Sequence, residues 1–517
     1  MNGAESLVHT LVNEGVNVCF TNPGTSEMHF VAALDRIPGM RCVLGLFEGV
    51  VTGAADGYYR IAGKPASTLL HLGPGLGNGL ANLHNAKKAN SGIVNIVGDH
   101  ATYHIKYDAP LTSDIEGVAR PMSHWVRKAR TSLSVSADAA AAIGVAREAP
   151  GKIATLILPA DTAWGAAEQV ACAPASAPRM RVPASAVTLA AKALSRGGPA
   201  ACLLLGDVGV RGRALELAGR IAAKTGCLIS AEFNSSRLER GAGRVQLMRV
   251  PYVIEHATTM FEKTTQLVLA GAKSPVGFFA YPDKPSLLAP SSCEVTQLAA
   301  IEQDIEASLE AVASELGALN TPPAGVAELS RPPLPGGPIT PEGVGALLGA
   351  LLPDNAIVVD ESVTSGRGFG SSTAGAPPHD WLNVMGGSIG FGFPCATGAA
   401  VAAPDRKVIL LEGDGSGMYT VQALWTMARN QLDVTMLVFA NRTYQILLGE
   451  LAGFGLGEPG RNANDMLTIG RPDLDWVSIA KGHGMEAGRA TTLEELAKEF
   501  KRGIASSGPY LIEVVMY

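Results

Sequence analysis

The 517-residue sequence has little charge, few aromatic residues and no long hydrophobic run. Charged residues account for 17% and aromatic residues for 5%, whereas hydrophobic residues account for 47%. This composition excludes a largely disordered chain. The formal net charge of −6 argues against nucleic acid or an anionic membrane as the main partner. Because no apolar run reaches the ~18 to 20 residues of a membrane span, and the first residues lack a basic start, we expect a soluble, cytoplasmic protein.

Cysteine is also sparse, and its spacing excludes two common roles. The seven cysteines are scattered and form no C-x-x-C pair, which argues against a disulfide scaffold and against a zinc site. We expect buried, reduced thiols at Cys19, Cys42, Cys172, Cys202, Cys227, Cys293 and Cys395.

Proline-rich stretches at 171–185 and 321–338 divide the chain, because closely spaced prolines cannot lie inside helices or central strands. They predict domains at 1–170, 186–320 and 339–517. In all three segments, short continuous apolar runs alternate with helical patterns, which is typical of parallel strands covered on both faces. The predicted fold class is therefore α/β, with three doubly wound parallel-sheet domains.

Individual elements follow from the same alternation. In the first domain we expect strands at 16–20, 42–47, 67–72 and 92–99, the last closing the series, and a helix beginning near Asn78. In the third domain we expect strands at 355–362, 407–414, 433–441 and 509–516, with a helix from about Met418 to Asn430.

The segment EGDGSG at 412–417 carries the strongest chemical signal. An apolar strand ends at Gly413, Asp414, Gly415 and Ser416, and the next strand ends 27 positions after Asp414 at Asn441. In a right-handed βαβ unit both residues emerge at the same sheet edge. A carboxylate and an amide oxygen there suit Mg²⁺ together with a diphosphate. The alternative is a turn in which Asp414 only caps a helix.

Glu48 stands at a strand-to-helix junction in the apolar segment LGLFEGVV. Burial would raise the pKa of this carboxyl and let it share a proton. A helix N-terminal glutamate stabilised by the macrodipole explains the sequence equally well. The glycine-rich segment 386–390 also has two interpretations. Its backbone could approach a ligand closely, or the segment could be only a flexible loop.

Together these segments resemble the thiamine-diphosphate (ThDP) enzymes over nearly the whole chain, in the order pyrimidine, central and diphosphate domains. The chain looks like the acetolactate synthase large-subunit family, and its motifs are also similar to those of benzoylformate decarboxylase. The resemblance implies ThDP and Mg²⁺ as cofactors. FAD is not expected, because the central segment shows no counterpart of the family's flavin contacts.

The resemblance also assigns roles to residues. It implies that Glu48 hydrogen-bonds the cofactor's pyrimidine, that the Gly387 carbonyl takes its amino group and that Ile389 supports its bent form. Asp414, Asn441 and the carbonyl of Thr443 would bind the metal. Further cofactor contacts are implied at Asn78, Thr364, Gly413, Gly415, Ser416 and Tyr444.

Substrate-side residues rest on the similarity to benzoylformate decarboxylase. Thr25 and His71 match its hydroxyl residue and a proton-transferring histidine, although on sequence alone Thr25 reads as a helix N-cap and His71 as a structural histidine. His100 and His104 are further candidates without an assigned role.

Four positions depart from these patterns. Phe279 falls where the decarboxylase has a second histidine, and no tryptophan follows Asn441 as it does in acetolactate synthases. Glu450 stands where an aromatic pocket wall is expected. The chain has Ala440-Asn441-Arg442 where the family often carries Asn-Asn-Gly, so Arg442 follows the kept ligand position in place of glycine.

These observations favour an enzyme that decarboxylates a 2-oxo acid and ligates the product to a carbonyl acceptor, as acetolactate synthase does. The alternatives are a simple 2-oxo-acid decarboxylase and a weakly active, cofactor-binding paralogue with a structural or regulatory role. Because Glu48 and Asp414 come from different subunits in relatives, we expect self-association into a homodimer or homotetramer.

Overall fold

The N-terminal region builds a parallel six-stranded sheet in a computed structural model that describes residues 1–455 and 457–516. The strand order is β2-β1-β3-β4-β6-β5. The strands are β1 (Val18–Asn22), β2 (Arg41–Leu44), β3 (Ala66–Leu70), β4 (Ile93–Asp99), β5 (Trp125–Lys128) and β6 (Ile153–Pro159). The helices are α1 (Gly3–Asn13), α2 (Met28–Arg36), α3 (Glu48–Ala62), α4 (Leu72–Lys88), α5 (Ile115–Ala119), α6 (Val135–Arg147) and α7 (Ala160–Trp164), with 3₁₀ turns at Thr25–Glu27 and Ile105–Tyr107.

The central region builds a second parallel sheet, of order β10-β8-β7-β11-β12. Its segment of the chain contains β7 (Ala201–Leu205), β8 (Leu228–Ala231), β9 (Leu238–Arg240), β10 (Met248–Arg249), β11 (Gln266–Ala270) and β12 (Glu294–Ala299). The helices are α8 (Ala184–Gly197), α9 (Gly212–Thr225), α10 (Ile254–Phe261) and α11 (Ile305–Glu315), with 3₁₀ turns at Gly198–Ala200 and Asp207–Val210.

The C-terminal region contributes most of a seven-stranded sheet, of order β17-β18-β16-β15-β13-β14-β9. Its strands are β13 (Ile357–Glu361), β14 (His379–Asn383), β15 (Val408–Gly413), β16 (Val434–Ala440), β17 (Glu486–Ala490) and β18 (Tyr510–Val515). The helices are α12 (Pro341–Leu351), α13 (Phe369–Ser372), α14 (Gly392–Ala402), α15 (Asp414–Gly417), α16 (Ala423–Arg429), α17 (Gln445–Gly453), α18 (Arg461–Leu467), α19 (Trp476–Gly482) and α20 (Leu493–Ala505). β9 comes from the central region and pairs antiparallel with β14, so one edge of this sheet is not parallel.

The α/β fold class with several parallel sheets is confirmed, and four expectations about elements are wrong. The series of strands in the first sheet does not close at β4, because β5 and β6 extend it. α4 begins six residues before Asn78, since Gly73 and Gly79 pack closely against neighbouring residues and tertiary contact outweighs their low helix propensity. The helix expected from about Met418 to Asn430 is shorter, because α16 covers only Ala423–Arg429, and the short α15 precedes the expected range. The third sheet also contains β14 and β17, whose polar sequences HDWLN and EAGRA hide the strand pattern.

The buried, reduced thiols are confirmed only in part. All seven cysteines are free, and Cys19, Cys202, Cys227 and Cys395 are buried. Cys42 and Cys172 are exposed, the first because it lies on the edge strand β2. Within residues 1–455 and 457–516, no helix has the length and apolarity to cross a membrane.

Helices α3 and α14 join the first and third sheets through backbone contacts. A Cβ at Gly57 would lie 2.1 Å from the Cys395 carbonyl oxygen, and one at Gly398 would lie 1.9 Å from the Ala54 carbonyl oxygen. Only glycine lets the two helices approach so closely. One hydrophobic cluster therefore contains residues of both sheets, such as Val43 and Leu410.

Candidate cofactor and substrate site

The 412–417 turn and the segment after β16 meet at the carboxyl edge of the third sheet. β15 and β16 are parallel neighbours, with Gly413 in register with Phe439. Asp414 is 4% exposed, and its Oδ2 accepts a hydrogen bond from the Arg442 backbone N–H at 2.7 Å. The 27-residue spacing has therefore brought the two segments together, as the βαβ argument requires.

Burial raises the pKa of Asp414 to about 6, although backbone N–H groups of Arg442 and Gly415 act in the opposite direction. A carboxylate held so far from solvent gains much from a bound cation. Close by, the Tyr444 ring packs directly against Gly415, since a Cβ at Gly415 would lie only 2.6 Å from that ring.

The residues after Asp414 and Asn441 are held by further hydrogen bonds. Ser416 Oγ donates to Glu412 Oε1 at 2.6 Å, and Asn441 Oδ1 accepts from the Thr443 N–H at 3.1 Å. Thr443 Oγ1 donates to the Leu467 carbonyl at 2.9 Å. The Thr443 side chain is therefore already hydrogen-bonded within the protein.

The loop at 386–390 is anchored on α4. Asn85 forms two hydrogen bonds with the backbone of Ser388, at 2.8 and 3.2 Å, and Asn82 Nδ2 donates to the Gly390 carbonyl at 3.1 Å. Gly387 is exposed and has a φ of +72°, a left-handed conformation that glycine adopts without strain. Ile389 is half-buried beside it.

Glu48 is the first residue of α3, is 7% exposed and lies beside α4. Its Oε2 accepts a hydrogen bond from Asn78 Nδ2 at 3.0 Å. Gly75 separates Glu48 from His71, because a Cβ at Gly75 would lie 3.0 Å from Glu48 Oε1 and 3.3 Å from the Cβ of His71. The structure therefore places three of the candidate residues around the first two turns of α4.

His71 in turn contacts the segment NPGTSE. Its Nδ1 lies 2.8 Å from Glu27 Oε2, and a Cβ at Gly24 would lie 2.1 Å from the same nitrogen. Because a carboxylate only accepts, Nδ1 carries the proton and Nε2 of the neutral ring is left as an acceptor. Ser26 Oγ donates to the other oxygen of Glu27 at 2.5 Å.

Neither Thr25 nor Thr364 forms a side-chain hydrogen bond within the described ranges. Thr25 is exposed at the start of its 3₁₀ turn, and Thr364 is half-buried in the turn after β13. His100 and His104 lie after β4 with ring centroids 5.6 Å apart.

Three non-glycine residues beside these candidates have left-handed backbones. They are Leu72 (φ +50°), Val363 (φ +50°) and Arg442 (φ +60°), which adjoin His71, Thr364 and Asn441. Each such conformation costs of order 1–3 kcal/mol and persists only where surrounding structure enforces it. The fold therefore holds strained backbone beside each of these three candidate residues.

Sequence reasoning missed residues whose role depends on distant contacts. Glu27 lies 44 positions from His71, and Asn85 lies about 300 positions from the loop that it holds. The one available signal for Glu27 was its position beside Thr25, in the segment that resembles a substrate loop.

Two family models match the chain. The thiamine pyrophosphate enzyme N-terminal TPP binding domain covers residues 1–120, and the C-terminal TPP binding domain covers residues 368–514. The chain belongs to the ThDP-dependent enzyme family.

Relatives in this family cover the whole length. The chain is 52% identical to "Putative acetolactate synthase large subunit IlvX" of Mycobacterium tuberculosis, over 100% of this chain and 99% of that protein. It is 31% identical to benzoylformate decarboxylase of Pseudomonas aeruginosa, over 98% and 97% of the two chains. The solved structure of the Rhodococcus jostii RHA1 thiamine diphosphate-dependent 4-hydroxybenzoylformate decarboxylase has the same fold. Its TM-score is 0.88 at 24% identity, with 100% of this chain and 99% of that chain covered.

Proposed function

We propose that this ThDP-dependent enzyme also requires Mg²⁺, decarboxylates a 2-oxo acid and ligates the product to a carbonyl acceptor. The observation that carries the proposal is the placement of Glu48 and His71 on either side of Gly75. One buried carboxyl and one histidine then stand next to each other, which suits a site that moves protons at both cofactor and substrate.

We assign the cofactor to the two ends of the chain. Residues 1–170 would bind the pyrimidine and residues 339–517 the diphosphate, with 186–320 as a central domain. Asp414, Asn441 and the Thr443 carbonyl would hold Mg²⁺, and Gly413, Gly415, Ser416, Tyr444 and Thr364 would surround the diphosphate. The burial of Asp414 and the packing of Tyr444 against Gly415, which brings both residues to the same turn, support this assignment.

ThDP supplies an electron sink for the pair released when the carboxyl group leaves. On the protein's side, Glu48 would hold a proton at the pyrimidine, with Asn78 fixing its carboxyl. The Gly387 carbonyl and the Ile389 side chain would orient the ring. Thr25 would contact the substrate carboxylate, and His71 Nε2 would exchange a proton with the substrate.

The second candidate is decarboxylation alone. The Glu27–His71 pair favours it, because a histidine held by Glu27 at Nδ1 can take up a proton at Nε2 and pass it to a decarboxylated product that finds no carbonyl acceptor. Phe279 argues against decarboxylation alone, because it stands at the position of the decarboxylase's second histidine and cannot donate a proton.

Product analysis separates the two candidates. The protein is supplied with ThDP and Mg²⁺ and given pyruvate, 2-oxobutyrate or benzoylformate, with and without an added aldehyde. We expect 2-hydroxyketones by mass spectrometry, absent with Glu48→Gln. Free aldehyde as the sole product would favour the decarboxylase, and no turnover of any substrate would contradict both.

A further inference from the structure

A carboxylate with two tyrosine partners lies one helix away from the proposed metal segment. Glu450 belongs to α17, which begins directly after Tyr444. Tyr252 donates its hydroxyl to Glu450 Oε1 at 3.0 Å, and Tyr281 donates to Oε2 at 2.7 Å. Both tyrosines come from the central region, so each carboxylate oxygen is fixed from across a domain boundary.

The two tyrosines keep their protons and act as donors. Burial, followed by the hydrogen bond and charge of Glu450, raises the pKa of Tyr252, and the pKa of Tyr281 is raised in the same way. Each carboxylate oxygen can accept more than one hydrogen bond, so the tyrosines leave acceptor capacity on both. Glu450 is half-buried, which leaves part of it open to a ligand.

Aromatic rings connect this carboxylate to the cofactor loop. A Cβ at Gly387 would lie 2.8 Å from the Phe278 ring, and the Phe278 centroid lies 5.5 Å from that of Tyr252. Phe279 and Phe233 pack on the same rings, at centroid distances of 4.9 Å from Phe278 and 5.6 Å from Tyr252. An aromatic wall thus runs from Gly387 to Glu450.

Phe278 and Phe279 are exposed, so a flat ring can pack against this wall, and offset and edge contacts between rings are favourable. At the end of the wall remote from Gly387, the carboxylate of Glu450 can accept hydrogen bonds. Lys284 pairs with Glu255 at 2.7 Å and is thus already engaged, and the Arg367 guanidinium lies 6.0 Å from the Tyr252 ring centroid. A neutral group that donates a hydrogen bond fits these surroundings, whereas an anionic group would meet the charge of Glu450.

We propose that Glu450, positioned by Tyr252 and Tyr281, selects an aryl 2-oxo acid that carries a hydroxyl group at the end of the ring remote from the keto carbon. The inference rests on the proposed action on 2-oxo acids and adds the substrate class. A site built to accept a hydrogen bond from the substrate discriminates strongly against an analogue that lacks the donor, because the polar group is then left unpaired.

The test separates recognition from turnover. Dissociation constants of benzoylformate, 4-methylbenzoylformate and 4-hydroxybenzoylformate are measured by calorimetry in the holoprotein with Glu48→Gln, which is expected not to turn them over. We expect the hydroxylated acid to bind at least about tenfold more tightly than benzoylformate, which corresponds to ~1.4 kcal/mol. In a chain that also carries Glu450→Leu this preference disappears and the methylated acid binds best. Glu255→Gln, which removes a neighbouring exposed carboxylate outside the wall, retains the preference.

Three results would overturn the inference: equal binding of the three acids, a preference that survives Glu450→Leu, or no binding of any of them. A fall in thermal stability with Glu450→Leu at an unchanged preference would also overturn it, because Glu450 would then only tie the two regions together. If the leucine variant does not fold, Glu450→Gln replaces it. A neutral acceptor forms a bond about half as strong, so the preference should fall to about threefold. Failure of the enzyme with Glu48 intact to convert any acid contradicts the proposed function, while the binding ratio still decides this inference.

Discussion

Glu27 determines what His71 can do. Its carboxylate is 2% exposed and accepts hydrogen bonds from the Gly24 N–H, the Ser26 hydroxyl and His71 Nδ1. A Cβ at Gly98 would lie 1.7 Å from Glu27 Oε1, so a glycine on β4 makes room for it. His71 could be predicted from the sequence, but its partner Glu27 could not. No sequence pattern links two residues that come together only when the sheet has formed.

We predict that Glu27→Gln lowers kcat/KM for a 2-oxo acid by about 100-fold, the low end of the contribution typical of general acid–base groups. The amide would let the imidazole rotate or change tautomer, so Nε2 would no longer be held as an acceptor. Steady-state kinetics measure the effect, and ThDP affinity provides the control, because Glu27 is not assigned to the cofactor. Unchanged kcat/KM, or an equal loss of ThDP binding, would contradict the assignment.

At the scale of elements, the α3–α14 contact depends on glycine. We predict that Gly57→Ala destabilises the apoprotein by about 1–3 kcal/mol, because the new methyl group meets the backbone carbonyl of Cys395, which cannot move aside like a side chain. Thermal unfolding measures the change.

Gly77→Ala is the matched control. Gly77 also lies inside a helix, but a Cβ there has no heavy atom within 4 Å, so alanine should leave stability unchanged or raise it by up to ~1 kcal/mol. Equal effects of the two substitutions would show that helix propensity, and not the contact, decides the result.

Strand β14 carries a histidine that makes stability depend on pH. Burial, and after it the positive charge of Arg240, lowers the pKa of His379 to about 4, while its Nδ1 donates to the Pro377 carbonyl at 2.7 Å. In the unfolded chain the pKa returns to about 6.5. The unfolded state therefore binds more protons between pH 6.5 and 4, and stability falls as the pH falls through this range.

We predict that His379 accounts for up to ~3 kcal/mol of this acid-induced loss. His379→Asn retains a donor for the Pro377 carbonyl without a titrating ring, so chemical denaturation should show a smaller slope of stability against pH between 6.5 and 4. The exposed His256 is the control, and His256→Asn should leave the slope unchanged. An identical slope in all three proteins would contradict the prediction.

The elements also show what a sequence can and cannot predict. β15, β16 and the carboxyl-edge meeting of Asp414 with the 441–444 segment were predictable, because long apolar strands and βαβ handedness are local properties. β14 was not, since polar residues such as Asp380, which is buried by its ion pair with Arg237, interrupt the apolar residues of the strand. The Tyr252–Glu450 and Glu27–His71 contacts join residues that are distant in the sequence, which only the folded chain brings together.

At the scale of the whole molecule, a site shared between the subunits of a homodimer and a site within one chain lead to different activities in mixed dimers. If Glu48 and Asp414 serve one cofactor from different subunits, a purified heterodimer of Glu48→Gln and Asp414→Ala chains contains one intact site of two. It should have about half of the wild-type activity, whereas both homodimers should be inactive.

The reverse pairing is the control. A heterodimer of one wild-type chain and one chain with both substitutions should be inactive, because each site then contains one altered residue. If instead each site were built within one chain, this second heterodimer would keep about half of the activity and the first would keep none. Two different affinity tags allow both heterodimers to be isolated.

The glycine contact between α3 and α14 has a consequence for how such an enzyme would acquire its cofactor. The first and third sheets share one hydrophobic cluster, so a chain cannot open between them without exposing its core. In the proposed homodimer, ThDP would then enter and leave where subunits separate and not through a hinge within the chain. Loading would depend on protein concentration: dilution below the dimer dissociation constant would release the cofactor, and a high concentration would retain it through long dialysis.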